Sequence, residues 1–85
     1  MTPAEMAALS REVTEALQAR PTWSPTDTGF FVAQQDRWSF VVLCREDSAD
    51  GTAVRDGVIF HLAPHQRDFA RAQIDQQLPP KKETP

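Results

Sequence analysis

Along the first twenty residues the apolar positions Met6, Leu9, Val13 and Leu17 recur at spacings of three and four. That is the stripe of a helix packed on one side, with Glu5, Arg11, Glu12, Glu15 and Gln18 left to face water. Thr2 as N-cap, Pro3 at the first helical position and Glu5 have the layout of a capped helix start, and Pro21 disfavours helical geometry before it, so the helix should run from Pro3 to about Arg20. Pro21 to Thr28 reads as a loop whose one large apolar side chain is Trp23.

The period then changes. Phe30 to Gln35 and Trp38 to Cys44 are rich in aromatic and β-branched residues and are separated only by Asp36-Arg37, the pattern of a hairpin with a two-residue turn. That register sets Gln35 opposite Trp38, Ala33 opposite Phe40 and Phe31 opposite Val42. One face then carries Phe31, Ala33, Trp38, Phe40, Val42 and Cys44, and the other Phe30, Val32, Val41 and Leu43. Both sides are apolar near the open end of the hairpin. Glu46 to Gly57 reads as a polar connection with turn points at Gly51 and Gly57, Val58 to Leu62 as a third strand, and Pro64 to about Leu78 as a second helix. In that helix Phe69, Ala70 and Ile74 share a face with Gln66, Gln73 and Gln77, a weak apolar stripe that would pack loosely or offer its glutamines to a partner. Pro79-Pro80 stops it, and 79–85 is expected to be a disordered tail.

The sequence thus predicts a single α+β domain over 1–78 in the order α-β-β-β-α. Its sheet would be a three-stranded antiparallel meander with the Trp38 strand central and both helices on one face. At 85 residues, such a chain buries only roughly 60–65% of its unfolded surface, so its core is thin and pairing with itself or a partner would add stability.

Composition narrows the function classes. A single cysteine excludes an internal disulfide framework and a multi-cysteine metal site, and points to a reducing compartment. Neither a signal peptide nor a membrane-spanning run is visible, so a soluble cytoplasmic protein is expected. Seven arginines against two lysines, with no Asn or Tyr, fit a GC-rich bacterial genome or a phage or plasmid living in one. A net charge of −3 argues against nucleic acid as the main partner. Arginines 37, 45, 55, 67 and 71 are interleaved with Asp36, Glu46, Asp56, Asp68 and Asp75, the mark of a mixed solvated surface. Twelve acids against nine bases make no DNA-mimicking array.

Chemistry finds little to hold. A calcium loop aligned on Gly51 would have Ser48 at its third position and Gly57 where the closing glutamate belongs. His61 and His65 are four apart, but a strand end and Pro64 lie between them, which is not the helical spacing of a metal pair. Cys44 continues an apolar strand, where a cysteine acts as a small hydrophobe more readily than as a nucleophile. No glycine-rich phosphate loop is present, and no cofactor is expected. The expectation is a small non-enzymatic module that binds a larger protein as regulator, inhibitor or accessory subunit. A nucleic-acid-binding regulator is the alternative, followed by an enzyme using Cys44 or His61 and His65. The expected protein-binding residues are Trp23, Phe30, Val32, Val41, Leu43, Gln73 and Gln77. Under the hairpin register an apolar patch of several hundred Å² stays uncovered, to be hidden by a partner, by a symmetric dimer joined through its sheets, or by the loop carrying Trp23.

Overall fold

The computed structural model describes residues 2–44 and 49–78. In chain order these form α1 (Pro3–Gln18), β1 (Ser24–Pro25), β2 (Phe30–Gln35), β3 (Trp38–Cys44), β4 (Ala49–Arg55), β5 (Val58–His61) and α2 (Pro64–Gln77). The result is a small α+β domain with two helices on an antiparallel sheet ordered β1-β2-β3-β4-β5. The sheet therefore has five strands, not the three read from the pattern, with β3 at its centre.

α1 begins as its sequence dictates. Thr2 Oγ1 accepts from the Glu5 N–H at 3.1 Å, and the Glu5 carboxylate accepts in return from the Thr2 N–H, satisfying two donors that a helix start leaves free. The helix stops at Gln18, two residues before the expected end, because Arg20 takes left-handed geometry (φ 58°) ahead of Pro21. Leu9, Val13, Ala16 and Leu17 are buried, whereas Met6 is exposed, so the packing stripe starts one turn later than the periodicity suggests.

The β2–β3 hairpin has the two-residue turn, with Asp36 left-handed (φ 54°) and the pairs Gln35–Trp38, Ala33–Phe40 and Phe31–Val42 in register. Two strands depart from the expectation. Ser24-Pro25 pairs with Val32 and Phe31, although two residues, one of them proline, carry no strand signal of their own. Within 46–57, read as a polar connection, residues 49–55 are β4, paired to β3 on one side and β5 on the other. Gly51 is no turn point: a Cβ there would stand 2.8 Å from Leu62 Cδ1, so the strand needs the missing side chain to lie against Leu62. Gly57 is a turn residue. With Asp56 (φ 47°) it gives the doubly left-handed pair that joins β4 to β5 in the twist-compatible hairpin geometry. The remainder of the polar connection, 46–48, and the expected tail, 79–85, lie outside the described residues.

One core lies between the sheet and the helices. Trp38, Phe40 and Val42 from β3, Ala33, Ala53 and Phe60 from the flanking strands, Leu9, Val13 and Leu17 from α1, and Ala70 and Ile74 from α2 form a single buried cluster. Trp23 joins it at 2% exposure, its ring 6.0 Å from that of Phe40. Both helices pack on the face that carries Trp38, Phe40 and Val42.

Candidate binding face

The opposite face of the sheet follows from the register. Across the strands, one row reads Phe30, Leu43, Asp50; the next Ser24, Val32, Val41, Thr52, His61; the third Gln34, Ser39, Val54, Ile59. Six of these twelve positions are apolar, and none is lysine or arginine. No described helix or loop covers them. Ile59 is 62% and Phe30 36% exposed, while Val32, Val41, Leu43 and Val54 are half-buried. A shallow groove of about 460 Å³ runs along the β1 side of this face, lined by Thr22, Ser24, Val32, Gln34, Ser39 and Val41 among others. Most of the residues on this face are β-branched, aromatic or small and hydroxylated, the composition of a surface that packs flat against protein.

Of the residues expected to bind a partner, the structure gathers Phe30, Val32, Val41 and Leu43 on this face and sends the other three elsewhere. Trp23 does not fold over the open face; it inserts beneath the sheet, and its indole Nε1 donates to Gln73 Oε1 at 3.0 Å. Gln73 is 3% exposed, and its Nε2 donates to the carbonyl of Leu17 at 2.6 Å. Gln77 Oε1 accepts from the Trp23 N–H at 2.8 Å, while its Nε2 donates to the Pro21 carbonyl at 2.9 Å. Gln66, 1% exposed, donates to Thr14 Oγ1 and to the Ser10 carbonyl and accepts from the Ala63 N–H. The weak apolar stripe of α2 is therefore a polar seam: three glutamines at i, i+7 and i+11 fasten it to α1 and to the loop after it. Phe69, expected on that packing face, is exposed.

Thr52 and Val54 join the open face without being expected there, because their segment reads as a polar connection and is instead β4. The alternation of Thr52 and Val54 with Ala53, ending at Asp56-Gly57, was the available signal.

The remaining chemistry stays dispersed. The sheet separates the Cys44 and His61 backbones by two strand spacings and three residues, roughly 14 Å. His61 and His65 are both exposed, in β5 and in the first turn of α2. Among the described residues no three His, Cys, Asp or Glu side chains gather as metal ligands would, and no helix is long and apolar enough to cross a membrane. A second cleft, of about 450 Å³, opens between α1 and the β2–β3 turn, lined by Glu12, Glu15, Asp36, Arg37, Trp38 and Arg55 among others. Its two arginines are already engaged. Arg55 pairs with Glu12 and lies 4.7 Å over the Trp38 ring, and Arg37 reaches Asp56 at 3.8 Å. No family model matches the chain, and neither a curated protein nor a solved structure matches it.

Proposed function

We propose that this chain is a non-enzymatic protein-binding module, a regulator, inhibitor or accessory subunit of a larger protein, and that it docks through the open face of its sheet. The supporting observation is the row structure of that face. Phe30, Val32, Val41, Leu43, Val54 and Ile59 form an apolar field on the side of the sheet opposite the core, interspersed with Ser24, Gln34, Ser39, Thr52 and His61 and bordered by one acid, Asp50. An uncovered apolar field of this kind on a sheet face is the mark of a protein interface.

Leu43→Asp tests the reading. It places a carboxylate in the outer row of the field, beside Asp50, without touching the core, so the chain should keep its far-UV circular dichroism and cooperative unfolding. It should lose the partner that the wild-type chain captures from its source cell. An unfolded variant, or undiminished capture, sinks the proposal. The nucleic-acid alternative draws no support from the open face, which presents neither lysine nor arginine. It would require DNA or RNA binding that weakens steeply with salt.

A further inference from the structure

The two edges of the sheet are treated differently. At the β1 edge, Thr26 N–H donates to the Phe30 carbonyl at 2.8 Å. The alternation of an antiparallel ladder therefore turns the backbone groups of Trp23 and Pro25 away from β2. Neither offers a donor. Pro25 has no N–H, and the N–H of Trp23 is taken by Gln77 Oε1. Together with a strand only two residues long, this is how an edge is closed against further pairing.

The β5 edge has none of these devices. Leu62 N–H donates to the Gly51 carbonyl at 2.9 Å, so by the same alternation Val58 and Phe60 bond to β4, while Ile59 and His61 turn their N–H and C=O groups outward. Among the described residues nothing bonds to them. From Val58 to Ala63 there is no proline, no glycine and no formal charge, and among the described residues Ile59 is the most exposed of the large apolar side chains.

We propose that this edge pairs with the β5 edge of a second copy of the chain, antiparallel about a twofold axis at Phe60. The spacing fits that occupant. Ile59 and His61 are two residues apart, so a twofold at Phe60 sets Ile59 of one copy opposite His61 of the other, and all eight outward groups are consumed in four reciprocal backbone hydrogen bonds. Two copies at a net charge of −3 each repel, and an edge strand without charged side chains is where they approach at least cost. The product is a continuous ten-stranded sheet with the Pro25 edges at both ends, leaving no open edge to propagate a fibre.

The inference is independent of the open-face reading, and two measurements test it. Sedimentation equilibrium from low-micromolar to millimolar concentration should show the wild type passing from monomer to twice the monomer mass. His61→Pro, which removes an outward donor and leaves the β4 ladder intact, should remain monomeric with unchanged circular dichroism. Leu43→Asp should dimerise as the wild type does. In the wild type itself, amide hydrogen exchange at Ile59 and His61 should slow about tenfold once nine-tenths of the chain is dimeric, because exchange then waits on the monomer, while exposed amides elsewhere do not change. A wild type that stays monomeric at millimolar concentration overturns the proposal. So does a dimer in which the Ile59 and His61 amides exchange as fast as in dilute solution. If His61→Pro does not fold, the exchange measurement decides alone.

Discussion

Gln73 shows how a polar side chain can serve as a core residue. Its amide spans the gap between the Leu17 carbonyl, left over at the end of α1, and the Trp23 indole, so both polar groups enter the interior with partners. Gln73→Leu keeps the volume and removes both bonds. Each abandoned group then pays its own desolvation, about 1–3 kcal/mol apiece, and urea denaturation should show a loss of roughly 2–5 kcal/mol with the fold otherwise retained. A loss below half a kilocalorie would mean that water replaces the glutamine. From the sequence, Gln73 on an apolar face reads as a residue offered outward, because periodicity records polarity and not hydrogen-bond partners fifty residues away. The same blindness applies to Gln77.

Among the elements, those with a local cause were legible. Thr2, Pro3 and Glu5 fix the start of α1, the Asp36-Arg37 interruption fixes the register of β2 on β3, and Pro64 opens α2. β4 was not legible, since Ala49-Asp50-Gly51-Thr52 has weak strand propensity and is held by its neighbours on both sides. β1 is likewise a product of β2. Two glycines with opposite reasons for being glycine separate these effects. Gly57 needs its left-handed backbone and has open space around it, so Gly57→Asn, which tolerates that geometry, should alter stability by no more than about 0.5 kcal/mol. Gly51 needs space and not a special φ. Gly51→Ala drives a Cβ against Leu62 and should cost about 1–3 kcal/mol, with Gly51→Asn worse still. Thermal denaturation of the three variants checks the order, and equal costs for the two asparagine variants would refute it.

At the scale of the molecule, β3 divides a core from a surface within one strand. Phe40 is fully buried and its neighbour Val41 is not. Phe40→Ala should cost about 3–5 kcal/mol, a large part of what so small a domain possesses. Val41→Ala on the other side should cost about 1 kcal/mol or less, a difference that melting curves of the two variants will show. The two-sided apolarity of β3 was visible in the sequence, but which side the helices cover was settled by the Trp38–Phe40–Val42 face being shared with Trp23 and both helices. The glutamine seam has one further consequence, for synthesis. It ties residues 10–23 to residues 66–77, so the first third of the chain leaves the ribosome with its closing partners still unmade. Until the final helix emerges, Trp23 has no acceptor for its indole and the β1 edge has no Gln77 to seal it. A nascent chain stalled after β5 therefore presents part of the apolar underside of its sheet to water or to a chaperone, and release of the fourteen residues of α2 is the event that shuts it.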